Sequence, residues 1–209
     1  MNLKNLLVSA VSSALVLAFA SCNCGADKCG AADCADSTQI VLDNIMTRSS
    51  VRNFTDRKIG KDTLEVIVRA GMAAPTAMNK QPWAFVVVTD QEVLDSLRAV
   101  HPYSNLKTAA AAIVVCGDMS KTIEGYGQHY WVQDCSAATE NILLAAHAYG
   151  LGAVWCGVYP GPDRVPGVSR VLELPGGIIP LNIITMGYPA GEQQPKDKWK
   201  PENVHYQRW

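Results

Sequence analysis

Hydrophobic positions recur along the chain at two spacings, one helical and one extended. From Thr38 to about Thr47, Val41, Leu42, Ile45 and Met46 form an apolar stripe. Asp36 or Ser37 can cap that helix, with Gln39 three residues beyond Asp36 as a capping-box partner. Asp62 to Met72 repeats the pattern with Leu64, Ile67, Val68 and Gly71, beginning at Lys61 or Asp62. Trp83 to Thr89 is continuously apolar and β-branched, which predicts a strand buried on both faces. A short helix over Gln91 to Val100 separates it from a second buried strand, Ala109 to Cys116, ended by Gly117 and Asp118. A long helix is predicted from about Val132 to Tyr149, stopping at Gly150. Strands over Ala153 to Val158 and Leu181 to Met186 complete the body, the last ended by Gly187 and Pro189. Buried strands separated by helices predict a layered α/β or α+β arrangement with helices covering a central sheet.

Two segments fit neither spacing. Asp118 to Trp131 turns polar and aromatic, with Tyr126, His129, Tyr130 and Trp131 beside Gly125 and Gly127. It reads either as a mobile aromatic wall or as a helix lead-in packed on a surface. Gly187 to Trp209 holds Pro189, Pro195 and Pro201 with Tyr188, Trp199, Tyr206 and Trp209, and shows no periodicity. Each large aromatic ring buries roughly 150–250 Å² when covered, so this arm is expected to pack along the body or along a partner subunit.

The start of the chain is different again. Lys4 precedes an apolar stretch from Leu6 to Ala20, shorter than the about 20 apolar residues a spanning helix needs, so residues 1–21 read as a secretory signal. Cys22 after Phe19-Ala20-Ser21 resembles a bacterial lipobox, with Phe19 where leucine is usual. That resemblance implies lipidation of Cys22, a membrane-anchored lipoprotein of the cell envelope, and a body in the periplasm. Ordinary signal cleavage and an uncleaved anchor are the other routes. Residues 22–37 then form a cysteine-rich tether and residues 38–209 one domain, a usual size for a single core. Cys24, Cys29 and Cys34 stay open between a disulfide, a metal cluster and free thiols, since lipidation of Cys22 leaves fewer thiols than structural zinc usually takes. Cys116, Cys135 and Cys156 lie singly in apolar surroundings and read as small hydrophobes. A formal net charge of −1 with 18% charged residues argues against nucleic-acid binding, which rests on clustered positive charge.

Candidate chemistry sits in two places. Arg48-Ser49-Ser50-Val51-Arg52 sets guanidiniums around hydroxyls at a helix end, a grouping able to grip phosphate; favourable charge at a helix C-terminus is its structural alternative. Ala74 to Trp83 contains Pro75, Pro82 and Asn79 between a helix and a buried strand, which makes either a rigid turn or a ligand edge. No GxGxxG follows the first buried strand, and Walker, HExxH and GxSxG motifs do not occur.

Taken in order, Arg48 to Arg52, Pro75 to Trp83, Tyr149 to Gly157 and Gly187-Tyr188-Pro189 resemble the nitroreductase family, its compact members above all, including His205-Tyr206 and Trp209. The resemblance covers about Ile40 to Trp209. It implies an α+β fold with a mixed central sheet flanked by helices, in a homodimer that exchanges C-terminal arms and binds FMN at its interface. Arg48, Ser50 and Arg52 would hold the phosphate and ribityl region, with Ser49 where the family often has a second arginine. Pro75, Thr76, Ala77 and Asn79 would lie along the flavin, and the backbone N–H at Cys156 and Gly157 would approach N5. Lys198 falls where an arginine commonly reaches the phosphate, with Lys196 as the fallback. The implied reaction is ping-pong transfer of hydride or electrons, from NAD(P)H or another donor, to a flat nitroaromatic or quinone. It requires no catalytic acid or base and no metal. A non-enzymatic flavin-binding or structural lipoprotein is the alternative.

Overall fold

Four apolar runs of the sequence become the strands of a four-stranded sheet ordered β1-β2-β4-β3, with β2 and β4 at its centre. These strands are β1 (Trp83–Val88), β2 (Ala111–Asp118), β3 (Gly152–Gly157) and β4 (Ile178–Gly187). The computed structural model describes residues 36–209. Every pairing between these strands is antiparallel. The sheet becomes mixed only where Ser50 forms a single parallel bridge to Ala153 at the outer edge of β3. Pro180 lies inside a central strand, where its missing N–H would break the ladder. The register shifts between Val115 and Cys116, opposite Asn182 and Pro180, and this bulge absorbs the proline.

Side chains of successive strand residues point to opposite faces, and here both faces are covered. On one face Ile113, Val115, Ile184 and Met186 pack against α2 (Lys61–Met72) and α4 (Tyr130–Ala148). On the other, Ala112, Val114, Cys116 and Ile183 pack against Leu94 and Leu97 of α3 (Gln91–Val100) and Val168 of α5 (Arg164–Val171). The result is three layers, which explains why the strands read as unbroken apolar runs. Asp90 caps α3, its Oδ1 accepting from the N–H groups of Glu92 and Val93 at 2.9 and 3.2 Å. Gly71 lets α2 approach α4 closely, since a Cβ there would sit 2.8 Å from Cγ1 of Ile142.

Several expectations are corrected. The stripe on α1 (Ser37–Thr47) does not face this chain's core: the helix has no buried residue, and Ile45 and Met46 are 48% and 68% exposed. Gln39 directs its amide N–H to Asp43 Oδ1 at 2.6 Å, forward along the helix and not back into a capping box. β2 runs two residues later than expected, because Gly117 and Asp118 still have partners in β4. The segment after β2 is a pair of short 3-10 turns leading into α4, with Trp131 in the core at 4% exposure while Tyr126 remains at the surface. Helix α5 was not expected at all. The signal, Cys22 and the tether up to residue 35 lie outside the described residues, and the tether's last residue, Ser37, already begins α1. Among those described, no helix is long and apolar enough to cross a membrane.

Candidate functional site

The segment after α1 is sewn to the outer edge of β3. Val51 N–H donates to the Ala153 carbonyl at 3.1 Å, and glycine at 152 permits this approach, since a Cβ there would meet the Val51 side chain at 2.6 Å. The chain leaving β4 returns along the same segment: Thr55 N–H donates to the Tyr188 carbonyl at 2.8 Å and Ala190 N–H to the Asn53 carbonyl at 3.1 Å. Between the two strips lies a cavity of about 480 Å³, lined by Ser50–Asn53 and Ala190–Gln193. Arg52 lies on it, with Nη1 donating to the Ser50 carbonyl at 3.2 Å.

Arg48 takes a different direction. Its Nε lies 3.6 Å from Glu140 on α4, and its charge joins burial in lowering the pKa of His147, burial being the larger cause. Thr47 already donates its hydroxyl hydrogen to the Asp43 carbonyl at 2.6 Å, so the 2.9 Å contact with His147 Nε2 has the imidazole as donor. The two arginines of the motif are therefore not convergent: Arg52 and Ser50 border the cavity, while Arg48 reaches toward α4. Ser49 lies between them, half-buried.

The end of β3 is braced from the turn that follows α3. The Cys156 thiol donates to the Ser104 carbonyl at 3.1 Å, and Asn105 Nδ2 donates to Cys156 Sγ at 3.5 Å. Burial pushes this thiol's pKa up, against smaller lowering by Asn105, Thr185 and the Arg52 charge. It is thus a packed side chain and not a ready nucleophile. Cys116 and Cys135, pushed up to about 12 by burial, are inert in the same sense. Gly157 is the opposite: exposed, with nothing within 4 Å of where a Cβ would stand.

Pro75 to Asn79 forms a strained connection. Met78, Asn79 and Gln81 all adopt left-handed φ of 49–53°, which costs non-glycine residues energy and is typical of ligand-clamping loops. The loop is held internally by Gln81 N–H donating to Thr76 Oγ1 at 3.1 Å and by Gln81 Nε2 donating to Asn79 Oδ1 at 3.0 Å. Its tie to the body is Ala77 N–H donating to Asp134 Oδ1 at 2.9 Å, from a buried aspartate on α4. These bonds run within the loop and to α4, not to the Ser50–Arg52 strip or to Gly157. Lys196 and Lys198 are exposed on the closing arm, beyond the cavity wall formed by Ala190–Gln193.

The structure thus brings Ser50, Arg52, Cys156 and Gly157 to one edge and leaves Pro75–Asn79, Lys196 and Lys198 apart from it within one chain. Sequence reasoning missed His101, Asn105, Asp134 and Arg164, which support this edge or the loop from positions distant in sequence. A cavity of about 1060 Å³ lies elsewhere, as an apolar groove between α2 and the outer edge of β1 lined by Leu64, Val68, Met72 and Val87 with Lys58 and Arg69. It gathers no set of groups suited to chemistry. The site edge, by contrast, offers a cation, hydroxyls and a backbone N–H beside open space, a donor set suited to an anion joined to a flat polar ring system.

Comparison with known proteins places this arrangement. The model of the nitroreductase family matches residues 45–101 and 98–188. A candidate NADH dehydrogenase/NAD(P)H nitroreductase of Methanothermobacter thermautotrophicus is 44% identical over 171 residues, covering 81% of this chain and 87% of that protein. A solved structure of a protein described in the same terms, from Parabacteroides distasonis, is 44% identical with a TM-score of 0.77, covering 81% of this chain and 99% of its own. A nitroreductase of Desulfovibrio desulfuricans solved in complex with FMN is 28% identical with a TM-score of 0.68, covering 81% and 97%. These matches overturn the expectation of a membrane-anchored periplasmic body. Nearly the whole of each solved chain is the same layered fold as the body of this protein.

Proposed function

Given that the chain belongs to the nitroreductase family, we propose that it is an FMN-dependent oxidoreductase carrying reducing equivalents from NAD(P)H to a flat nitroaromatic or quinone-like acceptor. The observation that carries this reading is the open edge at Gly157 beside the Arg52 cavity. Ser50 and Arg52 hold the FMN phosphate and ribityl chain in that cavity through a charge-assisted fork and a hydroxyl. Arg48, turned toward Glu140 on α4, would have to swing back to reach the same phosphate, with Ser49 adding a hydroxyl. Strand alternation turns the N–H of Gly157 away from β4, on the same side as the Ala153 carbonyl that Val51 occupies. That N–H, next to Cys156, is the donor to N5. Bound FMN supplies the hydride chemistry, and the protein supplies position and electrostatics. No side chain acts as acid or base. Named activities of relatives, NAD(P)H nitroreductase among them, favour an enzyme over a non-enzymatic scaffold.

The functional unit is a homodimer. Among the described residues, one chain leaves the apolar face of α1 exposed, exposes Trp199, Tyr206 and Trp209 on the arm, and presents an unpaired β1 edge beside an apolar groove. Apolar surface on that scale is typical of protein–protein contacts. The partner's Pro75–Asn79 loop then lies along the flavin held by the Arg52 edge. Asn79 offers the flavin its amide N–H₂ as donor, since its oxygen accepts from Gln81. Lys198, or Lys196 beside it, completes the phosphate grip from the arm, which crosses to the neighbour.

The test is direct. Purified protein mixed with FMN is expected to take it up at micromolar concentration and to oxidise NADH or NADPH in the presence of a quinone or nitroaromatic. Arg52→Ala is expected to weaken FMN binding on the order of tenfold or more, the loss of a charge-assisted hydrogen bond. A wild-type protein that takes up no FMN would overturn the reading.

A further inference from the structure

His101 is 2% exposed, yet it contributes one hydrogen bond: Nε2 lies 2.9 Å from the Gly157 carbonyl oxygen, while Nδ1 is buried without a partner. A carbonyl only accepts, so Nε2 carries the hydrogen of that bond. Burying a polar ring for a single bond is a cost that an apolar side chain of similar size would avoid. The bond must therefore be considered for what it holds. Gly157 ends β3, has no side chain to fix it and faces open space, so its two flanking peptides are free to tilt unless braced.

The bracing converges on that residue. The Gly157–Val158 peptide is held at both ends, its N–H by the Leu181 carbonyl at 3.0 Å and its carbonyl by His101. Arg164 Nη1 donates to the same carbonyl at 3.2 Å, but from the surface, lying over the exposed ring of Tyr103 with 5.9 Å to its centroid. The preceding residue is held through its sulfur by Ser104 and Asn105, which share the His101 turn. A single short turn thus braces both sides of the Gly157 N–H, and His101 is its buried contact.

We propose that His101 is a positioning residue for the oxidoreductase reaction: by holding the Gly157 carbonyl it keeps the Gly157 N–H aimed at flavin N5. The inference rests on the FMN reading above. A donor fixed at N5 favours the electron-rich reduced flavin more than the oxidised one. Loss of His101 therefore acts on the ratio of the two affinities, and not mainly on the affinity for oxidised FMN.

The experiment compares the full-length holoprotein with its His101→Leu, His101→Gln and Arg164→Ala variants. The readouts are the dissociation constant for oxidised FMN and the midpoint potential of bound FMN. His101→Leu is expected to bind oxidised FMN within about threefold of wild type but reduced FMN about tenfold more weakly, lowering the two-electron potential by about 30 mV. His101→Gln, whose amide nitrogen reaches the same place as Nε2, is expected to restore most of the potential. Arg164→Ala is expected to shift it less than His101→Leu. If His101→Leu does not fold, His101→Asn, too short to reach Gly157, replaces it against His101→Gln. An unchanged potential in a folded His101→Leu or His101→Asn protein, or equal weakening of both redox forms, would overturn the role of His101. Failure of the wild type to bind FMN would instead sink the proposed function, and this inference with it.

Discussion

The middle of the sheet and the periphery of the fold both carry large apolar side chains, which fare very differently. Ile113, Ile183 and Ile184 are fully buried, their strands bonded on both sides and covered on both faces. Ile40, Val41, Leu42, Ile45 and Met46 of α1 are all at least 48% exposed, and Trp209 at the end of the arm is 99% exposed. Hydrophobicity sets the drive to be covered, but topology decides whether the same chain can do the covering. The interior is complete within one polypeptide, whereas the periphery stays open at the faces where the proposed homodimer would place a second copy.

That contrast can be broken by mutation. The largest effect is expected in the interior: Ile184→Ala should cost about 2–5 kcal/mol of stability in urea unfolding, as a large side chain is lost from a packed core. The paired substitution Ile45→Ser/Met46→Ser should change the stability of diluted protein by no more than about 0.5 kcal/mol per site, as for surface positions. It should nevertheless weaken self-association on the order of tenfold, read by sedimentation. A large loss of monomer stability from the α1 pair would erase the distinction. Between these extremes lies Asp134→Ala, which removes the tie between α4 and the Pro75–Asn79 loop. It is expected to cost about 1.5–3 kcal/mol and to weaken FMN binding, while Asp134→Asn, which keeps an acceptor, loses less.

The smallest effect concerns pH at the junction of α1 and α4. Burial and the Arg48 charge lower the pKa of His147 below its ordinary value of 6.5, so below that value the folded chain holds fewer protons there than the unfolded chain. Its contribution to stability is full above pH 6.5 and is lost as pH falls. The drop in Tm between pH 7 and about pH 5.5 is expected to be slightly smaller in His147→Gln than in wild type.

How much of this was legible in the sequence depended on whether a signal was local. Helical spacing and unbroken apolar runs marked α2, α3, α4 and all four strands, because each is set by its own side chains. Helix α5 escaped, since Pro166 and Gly167 occupy the middle of its eight residues and erase the usual signature. The exposure of α1 was invisible, because an apolar stripe looks the same whichever molecule covers it. Within the site, Ser50, Arg52 and Gly157 were legible from ordered motifs. Asp134 and His101 were not, as each acts on a residue 57 or 56 positions away and neither belongs to a motif. The divergence of Arg48 from Arg52 likewise depends on Glu140, which only the fold brings near.

The central claim is that FMN sits between two copies, gripped by the Arg52 and Gly157 edge of one and the Pro75–Asn79 loop of the other. Sedimentation velocity of the FMN-loaded protein, followed in the flavin visible band, tests it most directly. The account predicts that all bound flavin travels at the mass of a dimer and dissociates when the α1 pair is substituted. Flavin travelling at the mass of one chain, with the same affinity, would contradict it.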